Sequence, residues 1–274
     1  MPTFDIRACA DLLDGLTALS IATAETVRRL QNDDTVRMKS DGSPVTAADE
    51  AADAAIHQGL AGLAPDWPVV SEERVELEKS AHEGAVYFLV DPLDGTREFI
   101  AGRDEYTINI ALVADGAPIL GIIAAPALGL IWRGIVGRGA ERLEFSARRA
   151  SVPQAIHTRA RPAGELTVVV SRSHLDAPTR AYLDGLPRTR RIVCGSSVKF
   201  CRVAEGAADH YPRLGPTRDW DVAAGHAVLV AAGGSVTKPD GIALAYGTPE
   251  LRIPSFLAWG GPPTQSGPEG AIKD

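Results

Sequence analysis

The segment that most constrains the fold is a predicted strand that ends in a proline. Residues 85–90, AVYFLV, are apolar, with β-branched and aromatic members, which predicts a buried strand. Pro92 cannot donate to a β-ladder and biases Asp91 toward extended geometry, so we expect the strand to end there.

The turn after this strand contains residues that could bind a ligand as well as residues that favour a tight turn. Asp91 and Asp94 lie three positions apart, and Gly95 lets the backbone turn tightly or approach a ligand. Thr96 can start a short helix whose amide groups suit a phosphate. Carboxylates beside exposed amides indicate a hard cation that bridges to an anion. The same residue types dominate ordinary turns, and that is the alternative.

The length, composition and net charge of the chain argue against several classes of protein. Of 274 residues, 45% are hydrophobic, enough for one large or two modest domains. The 28 basic and 35 acidic residues give a net charge of −7, which argues against nonspecific nucleic-acid binding and against an anionic membrane surface. The three cysteines form no C-x-x-C pair, so neither a disulfide framework nor a zinc site is indicated.

Targeting signals are not visible in the sequence. The N-terminus lacks a basic region followed by an apolar one, and no apolar run is long enough to span a bilayer. We therefore expect a cytoplasmic protein without a transmembrane segment, with a peripheral position on the cytoplasmic side of the inner membrane as the alternative. Both monomer and homodimer stay open.

Three further carboxylates each have an ordinary structural explanation. Asp49 fits the last position of a capping box at the start of a helix. Glu72 is one of two adjacent glutamates that follow a short predicted strand, where such residues are usually solvated. Asp221 precedes a helix of small residues that should end at two glycines, so it would be an N-cap in most proteins.

The remaining pattern predicts a meander followed by a second α/β unit. Residues 140–165 are more polar and contain the predicted crossover between the two. The predicted strands lie at 106–113, 119–124 and 130–136 in the meander, and at 166–170 and 192–194 in the second unit.

Several segments resemble one enzyme family. D-P-L-D-G-T-R-E-F-I and W-D-V-A-A-G resemble the two signatures of the lithium-sensitive, magnesium-dependent phosphatases related to inositol monophosphatase. The intervening blocks S-P-V-T-A-A-D, S-E-E, Y-T-I-N-I-A-L, S-R-S-H and G-S-S-V-K-F-C are similar to those of the family's bacterial 3′(2′),5′-bisphosphate nucleotidases. Arg97 stands where lysine is common in the family.

The resemblance implies a role for each matching residue. The metal ligands would be Glu72, Asp91, Leu93 through its carbonyl, Asp94 and Asp221. All are hard oxygen donors, which favours two or three Mg²⁺ ions, with Mn²⁺ as a substitute. Asp49 and Thr96 would be the catalytic pair that activates water. The substrate-binding residues would be Glu72, Leu93, Asp94, Gly95, Thr96, Ser173, His174, Gly195, Ser196, Lys199 and Asp221.

The resemblance also implies an αβαβα layered sandwich of mixed α+β and α/β type. Its expected parts are an N-terminal α+β domain over residues 1–145, a C-terminal α/β domain over 146–259 and a disordered tail over 260–274. The implied activity is hydrolysis of 3′-phosphoadenosine 5′-phosphate to AMP and phosphate beside sulfate assimilation, and of its sulfated analogue in the same way.

Two other functions remain open. The same machinery serves inositol-phosphate or other sugar monophosphatases, and a catalytically inactive relative would bind a metal or ligand without turnover. The chain contains neither G-x-x-x-x-G-K-[ST], G-x-G-x-x-G nor H-E-x-x-H, which argues against other phosphate or zinc chemistries.

Overall fold

The computed structural model describes residues 8–31, 36–39, 42–74, 86–147 and 149–262. Its helices and sheets alternate in five layers. The helices are α1 (Ala8–Arg29), α2 (Ala47–Leu63), α3 (Thr96–Ile100), α4 (Ala177–Asp184), α5 (Val198–Ala204) and α6 (Asp219–Ala231). The strands are β1 (Val36–Met38), β2 (Pro44–Thr46), β3 (Val69–Ser71), β4 (Val86–Asp94), β5 (Thr107–Ala114), β6 (Ala117–Ala125), β7 (Leu130–Ile135), β8 (Gly139–Ser146), β9 (Arg149–Ala150), β10 (Gln154–Ile156), β11 (Leu166–Ser171), β12 (Thr189–Cys194), β13 (His210–Arg213), β14 (Thr217–Arg218), β15 (Ser235–Thr237), β16 (Arg252–Ile253) and β17 (Phe256–Trp259). The αβαβα fold class expected from the resemblance is confirmed.

The first sheet has the order β10-β8-β7-β6-β5-β4-β3, with β9 paired to β8. Neighbouring strands are antiparallel except β3 and β4, which are parallel. Asp115 and Gly116 have φ values of 49° and 75° and close the predicted β5–β6 hairpin. A two-residue turn with both φ values positive matches the twist of the paired strands.

Strand β4 separates two apolar layers. Its side chains alternate, so Phe88 and Val90 pack with the apolar stripes of α1 and α2 on one face of the sheet. Tyr87 and Leu89 point to the other face and join the cluster that contains α5 and α6. The strand is therefore buried on both faces, as its continuous apolar pattern predicts.

Helix α6 lies in the middle layer and packs unusually closely. A Cβ atom on Gly121 of β6 would lie 2.3 Å from the carbonyl oxygen of Ala224, and one on Gly225 would lie 2.3 Å from the ring of Phe200. Side chains larger than hydrogen do not fit at either position, so the small residues of α6 bring its backbone onto the first sheet. Asp221 is thereby held at a fixed depth.

The second sheet has the order β12-β11-β13-β17-β15. The first three strands are parallel and the last two pairs are antiparallel. Val169 faces the middle layer, whereas Val168 and Val170 face α4 and pack with Leu183. The parallel strands direct the loops after β11 and β12 toward the same edge, where open α/β sheets usually bind ligands.

The prediction that the strand ends at Pro92 is wrong. Strand β4 continues to Asp94, but its pairing with β5 shifts between Asp91 and Asp94. Asp91 pairs with Asn109 and Asp94 with Thr107, so three steps on β4 oppose two on β5. This one-residue bulge accommodates Pro92, which has no amide hydrogen for a regular ladder, and it re-aims the neighbouring side chains.

Residues 157–165, within the range predicted to contain the crossover, connect the two sheets, but residues 140–165 also contain β9, β10 and most of β8, which were not predicted. Strands β8 and β10 pair with each other and extend the first sheet, and β8 is antiparallel to β7. Only three of the eight residues of β8 are buried, so its sequence is polar although it is a strand.

The division into domains at residue 145 stays a prediction, although β10 belongs to the first sheet. The predicted disordered tail lies outside the described residues except for residues 260–262. Among the described helices, none combines the length and hydropathy that a membrane span requires.

Candidate metal centre and substrate cleft

A cleft of about 660 Å³ opens where the bulge of β4, the start of α6 and the loops after β11 and β12 converge. The connection between β1 and β2 contributes Lys39 and Ser43 to its rim. The residues predicted to bind metal or substrate all line this cleft. Asp49 does not line it, because it is buried behind Thr96 with 2% of its surface exposed.

Three of the predicted ligands form one cluster. Single carboxylate oxygens of Glu72, Asp91 and Asp221 all lie within 4.8 Å of one another. They come from the turn after β3, from β4 just before the bulge and from the first turn of α6. The amide of Glu72 donates to the carbonyl of Val90 at 3.1 Å, which holds the first turn against β4.

Crowding of these carboxylates disfavours their charged forms. Burial, followed by the charges of Glu72, Asp94 and Asp221, raises the pKa of Asp91 well above its usual value. Burial also raises the pKa of Asp221, and it raises the pKa of Glu72 to about 7 against the opposing charge of Lys39. Uncompensated carboxylates repel one another, so a cation among these hard oxygen donors would relieve the cost. The cluster therefore fits a hard divalent ion.

The structure does not include Asp94 in that cluster. Its Oδ2 accepts hydrogen bonds from Ser197 Oγ at 3.0 Å and from Thr107 Oγ1 at 3.5 Å. The Leu93 amide donates to Asp91 Oδ1 at 3.1 Å, and the Leu93 carbonyl lies 3.3 Å from Thr96 Oγ1. The bulge thus presents Asp94 beside the cluster, next to hydroxyl groups.

Asp49 caps α2 and also contacts the threonine of the D-G-T turn. Its Oδ2 accepts from the amide and the hydroxyl of Thr46, at 2.8 and 2.6 Å, and completes the predicted capping box of α2. Its Oδ1 accepts from Thr96 Oγ1 at 3.1 Å. One carboxylate therefore caps a helix and orients the threonine of the D-G-T turn.

The loop after β12, residues 195–197, is joined directly to this turn. Ser196 Oγ donates to the Asp94 carbonyl at 2.7 Å, and Ser196 adopts a φ of 53°, uncommon for a residue other than glycine. Ser197 Oγ lies between Asp94 Oδ2 at 3.0 Å and the Asp221 carbonyl at 3.2 Å. The two signature motifs are thereby connected through one hydroxyl group.

Lys199, Arg97 and Arg213 lie around His174 and form the cationic end of the cleft. Lys199 is 4% exposed, and its Nζ donates to the Ser196 carbonyl at 2.5 Å and lies 5.4 Å from the ring centroid of Tyr211. Within the described part of the chain, no carboxylate pairs with Lys199. Burial and the charges of Arg213, Arg97 and Lys199 lower the pKa of His174. This end of the cleft is suited to an anion.

Lys39 is a residue that sequence reasoning missed. Its Nζ donates to Glu72 Oε1 at 2.8 Å and to Glu73 Oε1 at 2.6 Å. Its position before the turn between β1 and β2 has no distinctive local pattern. The lysine neutralises part of the acidic charge at the rim of the cluster.

Other residues that sequence reasoning missed form hydrogen bonds to the predicted ligands or to the serines beside them. Asn109 Nδ2 donates to Ser197 at 2.9 Å, and Thr217 donates to Asp221 Oδ2. Thr107 lies 2.7 Å from Ser196 through their hydroxyl oxygens. Thr107 and Asn109 lie in the block Y-T-I-N-I-A-L, and Ser197 lies in G-S-S. The resemblance of those blocks to the family was therefore the available signal for these three residues.

Comparison with known proteins places this site in a family. The chain matches the inositol monophosphatase family over residues 11–263. The chain belongs to this family. The family is metal-dependent, in agreement with the acidic cluster at the cleft.

Two similar curated proteins share one name. The 3′(2′),5′-bisphosphate nucleotidase CysQ of Escherichia coli K12 is 46% identical over 208 residues, which are 76% of this chain and 81% of the relative. The protein of the same name from Buchnera aphidicola is 37% identical over 239 residues, 86% of this chain and 87% of the relative.

Solved structures of the family have the same fold. CysQ from Bacteroides thetaiotaomicron superposes with a TM-score of 0.76 at 30% identity, covering 94% of this chain and 98% of the other. An inositol monophosphatase from Anabaena superposes with a TM-score of 0.70 at 25% identity, covering 92% and 91%.

Proposed function

We propose that the protein is a phosphatase that removes the 3′-phosphate of 3′-phosphoadenosine 5′-phosphate and releases AMP and phosphate. It would act on the sulfated analogue of this nucleotide in the same way. The names of the relatives at 46–47% identity support the substrate class. The observation that carries the proposal is the buried ammonium group of Lys199, which lines the cleft and has no carboxylate partner among the described residues.

Glu72, Asp91 and Asp221 would hold the metal, with the Asp94 carboxylate and the Leu93 carbonyl beside them. Mg²⁺ is the ion that we propose, in two or three sites, because every donor is a hard oxygen. A bound divalent ion supplies polarisation of the phosphoryl oxygens and positive charge opposite the leaving oxygen.

Thr96 and Asp49 would activate the attacking water. The Thr96 hydroxyl donates to Asp49 Oδ1 at 3.1 Å, so its oxygen lone pairs face the cleft as acceptors. Water that donates to Thr96 can pass a proton toward Asp49 as it attacks phosphorus. Asp49 stays in place during this transfer because Thr46 donates two hydrogen bonds to its other oxygen.

The non-reacting 5′-phosphate would bind at the cationic end. Lys199, Arg213 and His174 line the cleft there, and Arg97 lies at the start of α3. Removing an ammonium group from water without a carboxylate partner is costly, and an anionic ligand would offset this cost. Inositol monophosphate carries a single phosphate and would leave Lys199 without an anionic partner.

A substrate panel tests the proposal. We expect phosphate release from 3′-phosphoadenosine 5′-phosphate in Mg²⁺, loss of activity in a chelator, and kcat/KM at least about tenfold above that for inositol 1-phosphate. Equal efficiencies would favour a sugar monophosphatase. Absence of release from every substrate would indicate an inactive, ligand-binding relative.

A further inference from the structure

Two glutamates, Glu98 of α3 and Glu105 of the segment between α3 and β5, contact the loops after β11 and β12. The Glu105 carboxylate accepts hydrogen bonds from the guanidinium group of Arg172 and, through Oε2 at 2.9 Å, from the amide of Gly195. The Glu98 carboxylate accepts from the hydroxyl of Ser173. These contacts join the second sheet to the segment that immediately follows the D-G-T turn.

Arg172 does not line the cleft, whereas its neighbours Ser171, Ser173 and His174 do. Its backbone amide donates to the Cys194 carbonyl at 3.1 Å, so the residue also ties the end of β11 to the end of β12. The arginine is therefore a structural connector of the two loops and does not belong to the cationic end of the cleft. Its guanidinium is committed to Glu105.

The packing of Gly195 against Glu105 and Glu98 leaves no room for a side chain at residue 195. A Cβ atom on Gly195 would lie 2.7 Å from the Glu105 carbonyl oxygen and 3.1 Å from Glu98 Cγ. The side chains of Glu105 and Arg172 are 23% and 35% exposed, and that of Glu98 is 4% exposed. The hydrogen bonds of a partly shielded carboxylate to a guanidinium group and a backbone amide are stronger and more directional than an exposed ion pair.

We propose that Glu105 is a positioning residue for substrate selection, acting through Arg172 and Gly195. It holds the loop that carries His174, and the loop that leads into α5 and Lys199, at one distance from the Thr96 turn. An anion bound at the cationic end and a phosphate at the turn can then belong to one substrate. Glu105 itself contacts no substrate. This inference rests on the proposed function, since it concerns the spacing between the two phosphates of a nucleotide bisphosphate.

Three variants test the inference: Glu105→Gln, Arg172→Gln and the double substitution. We expect each to raise KM for 3′-phosphoadenosine 5′-phosphate about fivefold while kcat changes less than about twofold, because ground-state positioning is lost and the water-activating residues are untouched. KM for inositol 1-phosphate should change less than about twofold. The double variant should match either single variant, since the two residues act as one unit.

Glu205→Gln provides the matched control. Glu205 is a more deeply buried glutamate, with a side chain 9% exposed, that accepts from Arg202 at 2.7 Å and from Trp132 Nε1 at 3.0 Å outside the cleft. We expect wild-type kinetics from it on both substrates. Additive effects of Glu105→Gln and Arg172→Gln, equal losses on both substrates, or the same loss in Glu205→Gln would overturn the inference.

Hydrogen–deuterium exchange separates this inference from the proposed function. If the wild-type protein does not hydrolyse the bisphosphate, the proposed function fails, but the positioning contact is still measurable in peptides that contain residues 171–174 and 195–197. Faster exchange there in Glu105→Gln, with wild-type exchange in Glu205→Gln, supports the contact. Unchanged exchange in Glu105→Gln contradicts it.

Discussion

Asp49 accepts hydrogen bonds from two threonines that belong to different parts of the chain, Thr46 and Thr96. In Asp49→Asn the amide oxygen can still accept from Thr46, so α2 keeps its cap, but the side chain can no longer take up a proton. We therefore expect kcat to fall roughly a hundredfold or more while the melting temperature changes little. Steady-state kinetics and thermal unfolding of the same preparation check this, and near wild-type turnover would remove Asp49 from the water-activating pair.

Lys199 is buried without a carboxylate partner among the described residues. Lys199→Ala should raise KM for the bisphosphate about tenfold, equivalent to about 1.4 kcal/mol, and should spare metal binding. Lys199→Met keeps most of the apolar stem and removes only the charge, so it serves as the control for packing. We expect it to raise KM similarly while the ligand-free protein is at least as stable as wild type, because an unpaired buried charge is absent. A KM effect seen only in the alanine variant would indicate packing instead of anion binding.

Among helices, strands and turns, local sequence patterns predict those features that depend on residues close together in the chain. The capping box of α2 involves Thr46 and Asp49, three positions apart, and the hairpin at Asp115 depends on two adjacent residues. Strand β8 was not predicted because only three of its eight residues are buried and its pairing with β7 alone reveals it. Contacts that complete the site are distant in sequence: Lys39 and Glu72 are 33 positions apart. No local pattern encodes such a contact.

The close packing of α6 on the first sheet predicts opposite effects for two identical substitutions. In Gly121→Ala the added methyl group would lie 2.3 Å from the Ala224 carbonyl oxygen, a backbone atom that moves only with the helix. We expect a loss of about 1–3 kcal/mol in the free energy of unfolding. Gly62 of α2 has no atom within 4 Å of such a methyl group and no positive φ, so Gly62→Ala should stabilise by up to about 1 kcal/mol. Denaturant titrations of both variants measure the difference, and equal effects would contradict the packing argument.

For the whole molecule, His210 makes stability depend on pH. It is fully buried, its Nδ1 lies 2.9 Å from the Ala258 carbonyl, and burial, with Arg161 adding to it, lowers its pKa to about 3. The unfolded chain, with a histidine pKa of about 6.5, binds the proton that the folded chain excludes, so this contribution is lost as pH falls below about 6.5. His210→Asn can retain a donor to Ala258. Between pH 7.5 and 5.5 we expect the free energy of unfolding of wild type to drop about 1.4 kcal/mol more than that of the variant. Parallel pH profiles would contradict this.

Metal binding should stabilise the entire fold, because the ligands come from separate layers. Asp91 belongs to the first sheet, Glu72 to the turn after β3 and Asp221 to the middle helix, and the unfolded chain cannot bring the three together. A ligand that binds only the folded state at a hundred times its Kd stabilises by about 2.7 kcal/mol, which corresponds to a rise of roughly 5–10 °C in Tm for a chain of this size. We expect this rise when Mg²⁺ is added to chelator-treated protein, and none in Asp221→Asn, which lacks one ligand charge. The Asp221→Asn protein should itself melt no lower than metal-free wild type, since removing one of three crowded carboxylates reduces their repulsion. A Mg²⁺-induced rise of equal size in both proteins would show that the ion binds elsewhere.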